Sequence, residues 1–151
     1  MRVEKDYEEL LKLFNTHKVK YCIVDAFAVA YYARPRYTKD IDVLIESSSE
    51  NAKRIIGALG DFGFEELNLS VDDFCKKGNI IQLGYEPLRV DIMTSLPGCS
   101  FDRLWKNKAV ATYGREKVYF IGLDDLIQAK RLSDRPQDKV DLDLLIRAKG
   151  K

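Results

Sequence analysis

The sequence predicts an α+β fold in which helices flank a mixed β-sheet. Amphipathic segments at helical spacing alternate along the chain with short, apolar and partly β-branched runs. Two later runs, 79–83 and 88–94, are strand candidates joined by the connection Gly84-Tyr85-Glu86-Pro87, which is typical of a hairpin loop. The predicted sheet therefore contains at least one antiparallel pair.

The first half of the chain predicts a helix, a strand that turns directly into a second helix, and a second strand. Apolar residues at helical spacing between positions 3 and 14 indicate an opening amphipathic helix. The run 21–24 predicts a buried strand, which ends at Asp25 before a helix that begins at Ala26. Arg34-Pro35 ends this helix, because the residue before proline is disfavoured in the α region. A strand follows at 40–45.

Capping signals place a third helix after that strand. Ser47 with Glu50 three residues later predicts a capping box, and the helix is expected to run to about Leu59 and to end at Gly60. The remaining elements are expected to be a short helix at 101–105, a strand at 117–121, and two closing helices at 123–132 and 138–148, separated by Pro136.

Length and composition limit the class of protein. A chain of 151 residues is long enough for one domain with a sizeable core, so we expect a single domain over residues 1–151. The 24 acidic and 25 basic residues nearly balance, which excludes a strong overall field for DNA or an anionic membrane. The three cysteines lack C-x-x-C spacing, which argues against a disulfide framework and a structural zinc site. With no apolar leader and no long apolar run, we expect a cytoplasmic protein with no membrane contact.

Three aspartates are the candidate chemical centre. Because side chains alternate along a strand, Asp40 and Asp42 should share one face of the strand at 40–45. Asp91 should lie mid-strand, facing away from the core side that Val90 and Ile92 occupy. A partly buried carboxylate is costly unless a cation or hydrogen bonds compensate. Magnesium prefers such oxygen ligands, and two such ions can activate a transferring phosphoryl group.

A purely structural interpretation competes with this one. A lone D-x-D motif is common, so Asp40 could merely begin a strand, while Asp91 pairs with Arg89 or Arg36. The order of elements favours the functional interpretation: a strand, a tight turn, a helix, a basic loop, the D-x-D strand, and a later strand with one aspartate between apolar neighbours.

These segments together carry a family resemblance. Ile23-Val24-Asp25-Ala26-Phe27-Ala28-Val29, Pro35-Arg36-Tyr37-Thr38-Lys39-Asp40-Ile41-Asp42 and Leu88-Arg89-Val90-Asp91-Ile92-Met93-Thr94 resemble the minimal nucleotidyltransferases of the DNA polymerase beta-like superfamily, of the AbiEii and DUF6036 types. The similarity extends to segments 123–130 and 135–142, so it covers nearly the whole chain.

The resemblance implies an activity and a set of site residues. It implies transfer of NMP from an NTP to a hydroxyl of an RNA, protein or small-molecule acceptor, with Mg²⁺ or Mn²⁺, and a place in a toxin–antitoxin system. Asp40, Asp42 and Asp91 would hold the metal, and Asp91 would also face the incoming hydroxyl. The residues expected near the nucleotide are Asp25, Ala26, Arg36, Thr38, Lys39 and Lys130. For the basic residues and Thr38 of this set, an ordinary surface role is an equal alternative.

One departure from the family pattern lies at the turn after the first strand. The family has Gly-Gly or Gly-Ser where this chain has Asp25-Ala26. A carboxylate about 5 Å from a phosphate charge would be repelled by roughly 3 kcal/mol at an effective dielectric near 20. We expect Asp25 to act as the N-cap of the following helix, where aspartate is preferred.

Three functional hypotheses follow. The first is the metal-dependent transferase, whose site a partner protein or a second copy of the chain would complete, because so small a domain leaves little room for a substrate lobe. The second is a catalytically impaired binding module that keeps the fold. The third is a D-x-D glycosyltransferase, for which 151 residues are too few to hold both a sugar nucleotide and an acceptor.

Overall fold

The computed structural model describes residues 3–35, 40–64, 68–85 and 88–150. These residues form seven helices and six strands. In chain order they are α1 (Lys5–Thr16), β1 (Tyr21–Val24), α2 (Asp25–Tyr32), β2 (Asp40–Ile45), α3 (Ser49–Phe62), α4 (Val71–Cys75), β3 (Ile80–Tyr85), β4 (Leu88–Met93), α5 (Phe101–Lys106), β5 (Ala109–Tyr113), β6 (Glu116–Phe120), α6 (Leu123–Arg131) and α7 (Pro136–Lys149).

The six strands make one sheet in the order β3-β4-β2-β1-β6-β5. Strand β2 runs parallel to β4 and antiparallel to β1, while β1 runs parallel to β6. The two outer strands close antiparallel hairpins, β3 on β4 and β5 on β6. The structure thus confirms the predicted α+β fold with a mixed sheet flanked by helices.

The two faces of β2 and β4 differ in chemistry. One face is apolar and almost fully buried, at 5% exposure or less for Ile41, Val43, Val90 and Ile92. The alternation of side chains along a strand puts the aspartates of these strands on the opposite face. The apolar face fixes the register, since a slip of one residue would move every apolar side chain out of the core.

Two helix pairs complete the layers around the sheet. Helices α1 and α3 pack against each other, and so do α6 and α7. The buried side of α1 consists of Tyr7, Leu10, Leu11 and Phe14, which recur at the predicted helical spacing. The predicted opening helix is therefore confirmed.

The predicted caps of α3 are wrong by a few residues. Ser48 is the N-cap, and its hydroxyl accepts a hydrogen bond from the Asn51 amide at 3.1 Å. The Ser47 hydroxyl instead donates to the carbonyl of Thr94. At the other end Gly63, with φ 114°, stops the helix in the left-handed conformation that glycine adopts readily, so Gly60 lies inside the last turn.

Two short elements lie outside the predicted set. Helix α4 is only five residues long and is held by a capping box between Ser70 and Asp73. Strand β5 pairs along its length with β6 as the edge of the sheet, and its pattern of small residues gives a weak strand signal.

The predicted role of Pro136 is wrong. Pro136 does not separate two helices but begins α7. Proline is tolerated there because a backbone N–H in the first turn of a helix makes no hydrogen bond within the helix.

Candidate active site

Asp42 and Asp91 lie side by side across the parallel pair β2 and β4. Their Cα positions are register partners, so the two carboxyl groups stand next to each other on one face of the sheet. Val24 on β1 and Gln82 on β3 continue the same row across the sheet. The two carboxyl groups therefore lie close enough for each to influence the protonation of the other.

The Arg89 guanidinium lies between two aspartates, Asp40 on β2 and Asp91 on its own strand. Its Nη2 lies 3.2 Å from Oδ2 of Asp40, and its Nε lies 3.6 Å from Oδ1 of Asp91. Tyr7 fixes the backbone at this point, because its hydroxyl donates to the Arg89 carbonyl and accepts from the Arg89 amide, both at 3.0 Å. The ion pair between Asp91 and Arg89 that the structural interpretation predicts is therefore present. The guanidinium lies closer to Asp40 than to Asp91.

The two aspartates at the centre of this row, Asp42 and Asp91, which we call the acidic row, have raised pKa values. Burial, together with the nearby Asp25 and Asp91 carboxylates, raises the pKa of Asp42 to about 8. Burial also raises the pKa of Asp91, against the opposing effect of the Arg89 guanidinium. Among the described residues, Oδ1 of Asp91 is buried without a hydrogen-bond partner. Buried carboxyl oxygens with no hydrogen bond are costly, so a cation at this place would stabilise them.

This proton affinity gives a testable pH dependence. The pKa of Asp42 is raised on folding, so between about pH 4 and pH 8 the folded chain keeps a proton that the unfolded chain releases. Stability without metal should fall as the pH rises from 5 to 8, by at most about 1.4 kcal/mol per pH unit for one proton. Urea unfolding in EDTA at each pH measures this slope. Asp42→Asn should flatten it, and an equally steep slope in that variant would show that Asp42 is not the group responsible.

The turn from β1 into α2 has an uncommon backbone conformation. Asp25, the first residue of α2, has φ 58°, in the left-handed region that few non-glycine residues adopt. The N-cap position belongs to Val24, and the helix has no side-chain cap. The expectation that Asp25 caps α2 is therefore wrong. Its carboxylate points to the C-terminal helices instead, 2.7 Å from Nζ of Lys130 and 3.5 Å from Nη2 of Arg135.

Lys130 lies at the centre of a buried ionic cluster. Its ammonium lies 2.7 Å from Asp25, 2.7 Å from Asp138 and 3.3 Å from Asp141. Oxygens of these three aspartates all lie within 4.8 Å of one another, a spacing that could hold a metal ion. In this structure the Lys130 ammonium contacts all three aspartates, and Arg135 contacts Asp25 and Asp138 as well, so we assign the cluster to these cations.

The cluster shifts the proton affinities of its members. Burial alone would lower the pKa of Lys130, but the Asp25 and Asp138 carboxylates raise it above its ordinary value. Burial alone would raise the pKa of Asp138, but hydrogen bonds from Lys130, Ser133 and Arg135 lower it to about 2. The lysine and Asp138 are therefore both charged at neutral pH.

A cavity of about 390 Å³ joins the acidic row to the Lys130 cluster. Asp42 and Asp91 line it together with Asp25, Lys130 and Arg135. A second part of the wall is apolar and is formed by Ile80, Met93, Leu96, Pro97, Leu126 and Leu132. The volume is within the range of small-molecule sites, and the lining combines an apolar wall with convergent charged groups.

The cavity brings together some of the predicted site residues. Asp25, Asp42, Asp91 and Lys130 line it, Ala26 is half-buried in the first turn of α2, and Asp40 lies on the same face of β2 next to Arg89. The predicted nucleotide contacts Arg36, Thr38 and Lys39 lie outside the described residues.

Two residues of α7 and one before it belong to the site without having been predicted. They are Arg135, Asp138 and Asp141, and they follow one another at a spacing of three residues. This spacing puts them on one side of the chain as α7 begins, and it is the signal that could have indicated a shared role.

Comparison with known proteins agrees with the fold. No model of a known protein family and no curated protein matches the chain. Solved structures do match over most of their length. The lincosamide antibiotic adenylyltransferase LnuA, bound to lincomycin, is 16% identical with a TM-score of 0.57 and covers 96% of this chain and 97% of its own.

Two further structures give the same result. TM1012 from Thermotoga maritima, a candidate nucleotidyltransferase, is 16% identical with a TM-score of 0.60 and covers 99% of this chain and 92% of its own. ANT(2")-Ia in complex with adenylyl-2"-tobramycin is 11% identical with a TM-score of 0.59 and covers 95% of this chain and 87% of its own. The chain thus has the fold of nucleotidyltransferases. Among its described helices, none has the length and apolar character needed to cross a bilayer.

Proposed function

We propose that this chain is a nucleotidyltransferase that moves NMP from an NTP to a hydroxyl of an acceptor with the help of Mg²⁺ or Mn²⁺. The observation that carries the proposal is the register pair Asp42 and Asp91, which lines one cavity together with Lys130 and Arg135. Acidic groups for a metal and basic groups for phosphates thus line one cavity of suitable size.

The acidic row fits a hard divalent cation. Its donors are carboxylate oxygens, the kind that magnesium and manganese prefer, and Oδ1 of Asp91 is buried without a hydrogen-bond partner among the described residues. Asp42 and Asp91 would hold the metal, and Asp40 would join them in competition with Arg89, which contacts its Oδ2. When bound, the metal would neutralise charge on the phosphates and polarise the phosphoryl group.

The reaction assigns separate roles to the other residues. The acceptor oxygen forms a bond to the α-phosphorus as the bond from that phosphorus to the bridging oxygen breaks, and pyrophosphate leaves. Asp91 would accept the proton of the attacking hydroxyl, since its side chain lines the cavity next to Asp42. Lys130 and Arg135 are the described cations that line the cavity and could face the phosphates. Arg36, Thr38 and Lys39 stay predicted nucleotide contacts.

The acceptor is the part of the proposal with the widest choice. RNA, a protein and a small molecule all offer hydroxyl groups. The apolar wall of the cavity supports a small molecule, because a compact apolar surface next to the acidic row suits a small organic scaffold. The structures of LnuA with lincomycin and ANT(2")-Ia with adenylyl-2"-tobramycin point the same way. A partner protein, a second copy of the chain and a toxin–antitoxin role stay predictions.

Label transfer tests the proposed activity. The chain is incubated with each α-labelled NTP, Mg²⁺ or Mn²⁺, and acceptors of the three classes: RNA, proteins including the chain itself, and a panel of small hydroxylated compounds. Transfer that EDTA and Asp42→Ala both abolish would support the proposal. If the Asp42→Ala variant transfers label to the acceptor as fast as the parent chain does, the activity comes from a contaminating enzyme.

Metal-dependent nucleotide binding is the second prediction. An NTP with Mg²⁺ or Mn²⁺ should raise the melting temperature, because a ligand that binds only the folded chain stabilises it. At ten times its Kd the gain is about 1.4 kcal/mol, or several degrees for a domain of this size. Differential scanning fluorimetry with metal alone, NTP alone and both together measures the effect. Calorimetry that finds no metal-dependent binding at millimolar NTP would remove the enzyme from consideration.

The Lys130 cluster favours a second candidate function. Lys130 contacts three carboxylates, and Asp25 stands at the turn where the family has glycine. A catalytically impaired binding module that keeps the fold would show this combination. Such a module should bind no NTP with metal, whereas the transferase should, so the binding measurement distinguishes the two.

A further inference from the structure

The Lys130 ammonium has as many carboxylate contacts as it has protons to donate. Its Nζ lies 2.7 Å from one oxygen of Asp25, 2.7 Å from one of Asp138 and 3.3 Å from one of Asp141. A phosphate oxygen that approaches Lys130 therefore has to replace one of these carboxylates.

Asp25 is the carboxylate that can be replaced. The side chains of Asp138 and Asp141 are 4% and 1% exposed, whereas that of Asp25 is 31% exposed and lines the cavity. Asp138 is also held by Ser133 and Arg135, and Asp141 by Gln137. Asp25 comes from a different part of the chain, the first turn of α2, and leaves the helical pair α6 and α7 intact when it moves.

Asp25 also disfavours an anion by its charge. It lies next to both cations that line the cavity among the residues that the structure describes, Lys130 at 2.7 Å and Arg135 at 3.5 Å. Asp25 also lines the same cavity as Asp42 and Asp91, so its charge adds to the negative charge there. A phosphate placed between these groups would meet the carboxylate at short range and would be repelled by it.

We propose that Asp25 is an internal anion that occupies the phosphate position of the cavity and competes with phosphate-bearing ligands for Lys130 and Arg135. This inference rests on the proposed function, since it concerns the same cavity. Ligands enter by displacing one carboxylate, so the chain binds phosphates more weakly than its cations alone would allow. Asp25 is thus a built-in inhibitor of its own phosphate site.

Asp25→Gly is the variant that tests the proposal in the full chain. Glycine removes the carboxylate and adopts φ 58° without strain, so the turn keeps its backbone conformation. Asp25→Asn is the second variant, which keeps the size of the side chain and removes only its charge. The probes are inorganic tripolyphosphate, NTP and adenosine, each measured by calorimetry with and without Mg²⁺.

Both variants should bind tripolyphosphate and NTP about tenfold to a hundredfold more tightly than the parent. Adenosine, which has no phosphate, should bind all three proteins alike. A gain for adenosine of the same size would show a cavity that has merely loosened, and would overturn the proposal. Unchanged or weaker binding of tripolyphosphate by folded Asp25→Asn would overturn it as well.

Label transfer by the parent separates this inference from the proposed function. Tighter tripolyphosphate binding by the variants supports the inference even if the parent transfers no label. The lack of label transfer would then count against the proposed activity and not against the inference. Transfer by the parent together with no gain in either variant would uphold the activity and overturn the inference.

Discussion

Lys130→Met is expected to destabilise the chain by about 3–5 kcal/mol, the cost of removing one partner from a buried ionic cluster. Lys130 is 4% exposed, and its loss would remove the cation that the buried Asp138 and Asp141 share, although Arg135 would still contact Asp138. Methionine has a similar shape, so the loss comes from uncompensated charge rather than from a cavity. Urea unfolding at pH 7 measures the change.

Lys149→Met provides a matched control. Lys149 forms an ion pair with Asp124, but both side chains are more than half exposed, at 57% and 73%. Exposed pairs of this kind contribute under about 1 kcal/mol. Adding Asp138→Asn to Lys130→Met should recover part of the loss, because it removes one stranded carboxylate. A loss for Lys130→Met no larger than that for Lys149→Met would mean that water already compensates the cluster.

Asp91→Asn is expected to lower the rate of nucleotide transfer by about 10²–10⁴-fold, the usual contribution of a general base. Asparagine has nearly the same shape, so β4 should keep its register, but the amide cannot accept the proton of the acceptor hydroxyl. Asp42→Asn should weaken metal-dependent NTP binding more than Asp91→Asn does, because Asp42 lies between Asp91 and the turn from β1 into α2. Initial rates of label transfer and calorimetric NTP binding, measured on both variants, give this comparison.

Gln82→Ala is the control within the same row. Gln82 is the register partner of Asp91 on β3 and lines the same cavity, but it carries no charge. Its removal should change the rate by less than about tenfold, since no charge or base is lost. Full transfer activity in Asp91→Asn would contradict the assignment of Asp91 as the proton acceptor.

Local patterns in the sequence predicted the strands that carry the acidic row. The alternation of Asp40, Ile41 and Asp42 assigned these residues to opposite faces, and the apolar neighbours of Asp91 did the same for β4. A strand has a period of two, so the face of each side chain follows from its immediate neighbours. That Asp42 and Asp91 become partners depends on the order of the strands, for which the family resemblance was the guide.

The contacts of Asp25 could not be predicted in this way. Asp25 and Lys130 are 105 residues apart, and no local pattern reports a contact at that separation. The local rule that aspartate caps helices favoured an N-cap, but the tertiary ion pair with Lys130 and the left-handed backbone at Asp25 override it. The same reason explains Arg135, Asp138 and Asp141, whose spacing is visible in the sequence but whose partner is not.

The parallel register of β2 and β4 makes the site sensitive to length changes that the fold itself could absorb. One residue inserted within β4 ahead of Asp91 would turn that carboxylate toward the face now occupied by Val90 and Ile92. One residue inserted in an exposed connection leaves the pairing of the strands untouched. Over evolutionary time, insertions and deletions in this chain should therefore accumulate in its connections and be purged from these two strands wherever the activity is under selection.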